Sequence, residues 1–171
     1  MKEIIKLVIL CAAALVTFQS HANENGENVI YLGGGSSKTD SYGNSSGAAV
    51  TLGFIKQSNT SETFFGGDIS GEGTKYHNGR PEKSTSFNLL MGKNLSKNEN
   101  GRFDGALLLG FREKSSSCPT SYIGYRCYAD SDPSTKYGAN FGALLTYTHK
   151  SLLLGLRATG ESKQLIVGFK Y

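Results

Sequence analysis

Few residues in this chain have the types and spacing that chemistry needs. Cys118 and Cys127 share a segment with Tyr122, Tyr125, Arg126 and Tyr128. In an exported chain such a pair reads as a disulfide, and closing so short a ring stabilises the folded loop by roughly 2 to 3 kcal/mol. Tyrosines and an arginine on a pre-ordered ring suit contact with a partner, because both types are enriched at binding hot spots. The plainer alternative is an interfacial aromatic set on a loop that the disulfide protects from proteases. A second candidate is His149-Lys150-Ser151, a His-x-Ser spacing. Nucleophilic catalysis needs the imidazole within hydrogen-bond reach of the hydroxyl and an acid behind it, and consecutive turn residues supply neither. His77, beside Lys75, Tyr76 and Arg80, has no ligand-spaced Cys, Asp or Glu and makes a poor metal site. Gly33-Gly34-Gly35 lacks the Lys and the following helix of a phosphate-binding loop. No catalytic residue, metal or cofactor is expected.

The N-terminus explains why the chain should be read as exported. Lys2 and Lys6 precede an apolar run from Leu7 to Phe18, and Ser20-His21-Ala22 offers a small-residue cleavage site before Asn23. This is the layout of a secretory signal peptide over residues 1–22, leaving 23–171 as the mature chain. The apolar run is too short to span a bilayer as a helix. Cys11 falls within it behind Leu10, where lipid attachment would need a small residue. The whole chain carries a net charge of +4, and removing Lys2, Lys6 and Glu3 leaves 16 minus 13, or +3. That balance is too mild and scattered for a nucleic-acid partner. Mean hydropathy is −0.29, and no mature segment is apolar enough for a transmembrane helix. A β-barrel escapes that test, since only alternate residues of its strands touch lipid.

After Asn28 the chain divides into eight stretches of two-residue periodicity, near 28–36, 46–56, 62–71, 84–94, 102–113, 137–148, 151–159 and 163–171. One face gathers apolar side chains, such as Phe87, Leu89 and Met91, then Phe103, Leu107, Leu109 and Phe111, and finally Leu165, Val167, Phe169 and Tyr171. The opposite face is small and polar, with Thr51, Ser86, Asn88, Asn140, Thr146 and Gln164 beside the charged Asp68, Asp104, Arg112, Arg157 and Lys170. Buried in a barrel, those five charges must pair with each other or meet water, with Asp68, Arg112 and Arg157 toward the outer end and Asp104 and Lys170 toward the periplasmic end. Glycine recurs once per strand on the polar face, at Gly34, Gly53, Gly66, Gly92, Gly110, Gly142, Gly155 and Gly168. Small inward residues beside large ones are what a narrow barrel needs to close. The facing of Tyr31, Phe64 and Phe65 stays open. Connections of roughly 9, 12 and 23 residues after the odd strands alternate with roughly 5, 7 and 2 after the even ones, so the long ones become extracellular loops. The fold class is therefore all-β, an eight-stranded antiparallel up-and-down transmembrane β-barrel.

These features together resemble the small outer-membrane barrels of the OmpA, OmpX and opacity-protein type, over residues 28 to 171. The resemblance implies a Gram-negative outer-membrane location and a C-terminal assembly signal, filled here by Leu165, Val167, Phe169 and a final Tyr171, which the barrel-assembly machinery reads. The chain stops without an OmpA-type peptidoglycan-binding domain. His149 and Ser151 have a spacing similar to the catalytic pair of outer-membrane lipid A deacylases, but they fall at a turn on the periplasmic rim.

Fold alone does not select an activity. The reading favoured is a non-enzymatic barrel with a structural or adhesin-like role, presenting its loops, above all residues 113–136, at the cell surface. Its partners would be outer-membrane lipid or lipopolysaccharide, the assembly machinery, and ligands on host or other cell surfaces. The alternatives are a lipid-modifying enzyme and a soluble, lipocalin-like periplasmic carrier. The carrier would reverse the pattern, with apolar side chains inside.

Overall fold

The structure is a computed structural model and describes residues 26–38, 47–58, 62–77, 80–99, 101–117 and 134–171. The expectations for segment 1–22, for Cys118 and Cys127, and for Tyr122, Tyr125, Arg126 and Tyr128 lie outside the described residues. The strands are β1 (Gly26–Ser37), β2 (Ala48–Ser58), β3 (Thr63–His77), β4 (Arg80–Asn98), β5 (Gly101–Ser117), β6 (Ser134–His149), β7 (Leu152–Thr159) and β8 (Ser162–Lys170). Each pairs antiparallel with the next, and β8 closes on β1 through rungs such as Ile30–Phe169 and Leu32–Val167. Closure removes the free sheet edges that would otherwise need covering. Gly26 and Tyr171 lie at one end, called lower below; Ser117 of β5 and Ser134 of β6 lie at the upper end.

Side-chain parity follows the two-residue alternation of a pleated strand. In β8, Ser162, Gln164, Ile166 and Gly168 are buried, while Lys163, Leu165, Val167 and Phe169 are exposed. Tyr31 and Phe64 point inward and Phe65 outward. In β1, Val29, Tyr31 and Gly33 are buried. Gly34 therefore faces outward, contrary to the expectation, and a Cβ there would meet nothing within 4 Å. The inward glycine of β1 is Gly33.

The lumen is also less polar than the sequence suggested. Val29, Tyr31, Ile55, Phe64, Leu90, Ala106, Leu108, Leu144, Leu153 and Ile166 form a buried apolar cluster inside the barrel. The recurring apolar-apolar-Gly triplet accounts for it: in Leu108-Leu109-Gly110 the first residue faces in, the second out, and the glycine in again. Large inward residues lie opposite inward glycines on the neighbouring strand, as at Tyr31–Gly53, Phe64–Gly92, Leu108–Gly142 and Leu153–Gly168. A Cβ on Gly53 would overlap the Tyr31 ring, and one on Gly92 the Phe64 ring. Eight strands leave a bore just wide enough for its own side chains, and this alternation of ring and glycine fills it. The apolar layer lies between polar groups above and below, as a septum.

The strands run longer than the periodicity implied. The expected long loop between 71 and 84 is mostly strand: β3 continues to His77, β4 begins at Arg80, and the connection is residues 78–79. Above the apolar zone Glu72 to Lys83 lose the apolar alternation while keeping their ladder. The strict alternation of connection lengths is corrected accordingly, the long connections being 38–47 and 118–133. At the lower end Lys150, with φ 54°, turns β6 into β7.

Candidate functional site

Two charge clusters span the bore. In a closed ring of eight strands, β3 faces β7 and β1 faces β5. The upper cluster links the first pair. Arg157 of β7 is fully buried and donates from Nε to Asp68 Oδ2 at 2.8 Å and from Nη2 to Asp68 Oδ1 at 3.1 Å. The same guanidinium reaches Glu72, from Nη1 at 2.8 Å and Nη2 at 3.1 Å. Two carboxylates around one planar fork suit arginine and would not suit lysine. The surrounding acceptor sites are filled. Asn88 donates to Asp68 at 2.7 Å, Tyr31 Oη to Asp68 at 3.0 Å, and Ser86, Asn140, Thr159 and Ser162 all donate to Glu72. Thr51, Ser70 and Gln164 extend the network along the wall.

The lower cluster links the second pair. Arg102 of β5 donates to Asp104 at 2.8 Å on its own strand and to Glu27 of β1 at 2.6 Å. Lys170 of β8 meets the other oxygen of Glu27 at 3.1 Å, and Asn94 donates to Asp104 at 3.0 Å. A third set lies near the upper mouth, where Arg112 pairs with Glu161 at 2.8 Å and Lys75 with Glu113 at 2.7 Å.

Of the five charges singled out in the sequence, Asp68 and Arg157 meet directly. Arg112 belongs to a separate pair, and Asp104 and Lys170 lie at the lower end in one cluster without touching each other. The partners that complete each set are Glu72, Glu27, Arg102 and Glu161. Glu72 and Glu27 fell just beyond the expected strand ends. Extending the inward parity of Asp68 and Ser70 by one step reaches Glu72.

The outer surface is the complement. Leu89 is 74% exposed, Leu107 64%, Leu154 48% and Leu165 68%, so the apolar face points away from the lumen on every side. Aromatic side chains edge it. Phe87, Phe111 and Tyr137 form an upper run, with ring centroids 5.5 and 5.8 Å apart. Phe54, Phe65, Phe103, Tyr147, Phe169 and Tyr171 lie toward the lower end. From Phe103 to Phe111 a strand rising about 3.4 Å per residue covers roughly 27 Å, or about 21 Å of height at a tilt near 40°. That is close to the apolar band of a bilayer-spanning barrel, roughly 25 Å tall.

The remaining candidates are not brought together into a site. His149 and Ser151 sit exposed at the lower-end β6–β7 turn. His77 ends β3 at the upper rim, where its backbone pairs with Arg80. Gly33 to Gly35 are strand residues.

The architecture defines a small closed β-barrel, apolar outside and charge-plugged within. Among solved structures, it is similar to Ail, the attachment invasion locus protein of Yersinia pestis, crystallised in complex with the heparin analogue sucrose octasulfate. The match has a TM-score of 0.52 and 15% sequence identity, and it covers 86% of this chain and all of Ail. At that identity the likeness concerns the fold, a closed eight-stranded antiparallel barrel. No family model matches the chain. No curated protein matches it in sequence.

Proposed function

We propose that the chain is an outer-membrane barrel, exported on residues 1–22, whose role is contact at the cell surface without catalysis. The observation that carries the reading is the outward apolar belt between two aromatic edges, around a lumen filled by its own side chains. Soluble monomers rarely expose apolar patches above a few hundred square ångströms, and a continuous belt of this kind needs lipid against it. A lipocalin-like carrier would place those side chains around a cavity, and the buried Arg157, Asp68 and Glu72 occupy that space instead. In this placement the lower end faces the periplasm and the upper end the exterior. Leu165, Val167, Phe169 and Tyr171 all point outward on the closing strand, where assembly machinery can read them. Lipopolysaccharide would surround the upper belt.

The surface-binding role rests on the upper end. Strands β3 to β6 run past the belt, and Lys38, Lys83, Lys114, Lys136 and Lys163 stand exposed there. Such a rim suits an anionic polymer, and Ail was solved with a small sulfated heparin analogue, sucrose octasulfate. The ring proposed between Cys118 and Cys127, with Tyr122, Tyr125, Arg126 and Tyr128, would add the aromatic anchors. The test is binding of labelled heparin to intact cells expressing the chain. Saturable, salt-sensitive binding that falls when the five lysines become glutamine supports the role. Binding equal to that of vector-only cells refutes it.

A further inference from the structure

The upper end of β3 leaves the barrel wall. The last β4–β5 rung is Ser86–Arg112. Above it, Tyr76 and His77 of β3 pair in parallel with Ser115 and Ser116 of β5, so β3 takes the edge that β4 has vacated. To reach that edge the strand crosses the barrel mouth, and its contacts trace the path. The Gly73 amide donates to Ser37 Oγ of β1 at 2.6 Å. The Glu72 carboxylate accepts from Ser86 on β4, Asn140 on β6, Arg157 and Thr159 on β7, and Ser162 on β8. On the far side Arg112 donates to the Thr74 carbonyl at 3.3 Å, and Lys75 pairs with Glu113.

The crossing starts at a bulge between Gly71 and Thr74. Gly73 there has φ +70°, and a Cβ would come within 2.8 Å of the Glu161 carboxylate, so the position requires glycine on two counts. A bulge bends its strand and sharpens the local twist, which is how this hairpin can turn across the mouth.

We propose that the upper β3–β4 hairpin, Glu72–His77 with Arg80–Lys83, is a lid over the outer mouth of the lumen, latched by Glu72 and hinged at the Gly71–Thr74 bulge. The latch is one carboxylate bound by four other strands, so removing its charge loosens the lid from all of them at once. The strap to β5 holds the upper end of β3 at Tyr76 and His77. Beneath the lid lies Ser70, fully buried, with the apolar septum below it closing the other approach. The inference requires the barrel but not its placement in a membrane.

The test is thiol accessibility in the folded, detergent-solubilised full chain carrying Cys11→Ser, Cys118→Ser, Cys127→Ser and Ser70→Cys, probed with a cationic methanethiosulfonate. Labelling should be slow in this parent. Adding Glu72→Gln should speed it roughly ten- to hundred-fold, the change expected on losing charge-assisted hydrogen bonds. The exposed Glu62→Gln should leave the rate alone. A bridge between Tyr76→Cys and Ser115→Cys should form on oxidation and return the Glu72→Gln variant to slow labelling. Heat-shifted gel mobility reports that each variant still forms a barrel. Should Glu72→Gln fail that check, Lys75→Met replaces it, with a several-fold rise expected from the lost strap. Fast labelling of the parent, an unchanged rate in the latch variant, or no bridge between positions 76 and 115 would each overturn the lid.

Discussion

Arg157→Met removes the one cation between Asp68 and Glu72 while keeping most of the side-chain volume. Both carboxylates are fully buried, and their ion pairs with Arg157 are each 2.8 Å long. Breaking a buried pair by deleting one partner costs about 3 to 5 kcal/mol, because the stranded charge can neither reach water nor find a new partner. Here two charges are stranded with neutral donors around them, so a loss near the middle of that range, about 4 kcal/mol, is expected. It corresponds to a roughly thousand-fold shift in the unfolding equilibrium. The chain has no tryptophan, so far-UV circular dichroism is the probe, in urea titrations of the barrel folded into lipid vesicles. Adding Asp68→Asn and Glu72→Gln to Arg157→Met should recover most of the loss, since no buried charge then remains. A loss under about 1 kcal/mol in the single variant, or no recovery in the triple one, would refute the view that Arg157 is held by charge compensation.

Gly53→Val places a side chain where the Tyr31 ring lies. It should cost about 1 to 3 kcal/mol by overpacking in the same titration, with part of the loss recovered by Tyr31→Ala. Leu109→Lys puts a charge on the outward belt, where Leu109 is 52% exposed, and should cost about 2 to 4 kcal/mol in lipid vesicles. Lys83→Arg, which keeps a cation on the exposed upper rim, should be neutral in the same assay. Arg102→Met opens the lower cluster by freeing Glu27 and Asp104, and should cost about 1.5 to 3 kcal/mol, less than Arg157→Met because Glu27 retains access to solvent.

The sequence carried the fold where lipid or close packing constrained it. Alternation from Phe87 to Met91 and from Leu165 to Tyr171 is visible because each outward position must be apolar. The glycine register was legible for the same reason, except at β1, where three consecutive glycines hide the parity and only the pairing of Tyr31 with Gly53 decides it. The apolar septum was harder to see. Leu108 and Leu109 look alike in sequence, and the inward facing of the first is set by the following Gly110, whose Cβ would run into the β4 backbone. The charge clusters were half legible. Asp68, Asp104, Arg112, Arg157 and Lys170 were placed inside by parity, but partner choice depends on which strands face each other across the ring, and sequence spacing does not report that. Glu72 was hidden because β3 outruns its apolar pattern, and its crossing to β5 is a pairing that no local signal announces.

The most direct test of the barrel and its membrane placement is fractionation of cells expressing the full-length chain, followed by electrophoresis of the outer-membrane fraction heated and unheated. A protein confined to that fraction whose unheated form migrates faster than the heated one is the expected result. Recovery from the aqueous periplasmic extract, with one mobility in both lanes, would contradict it.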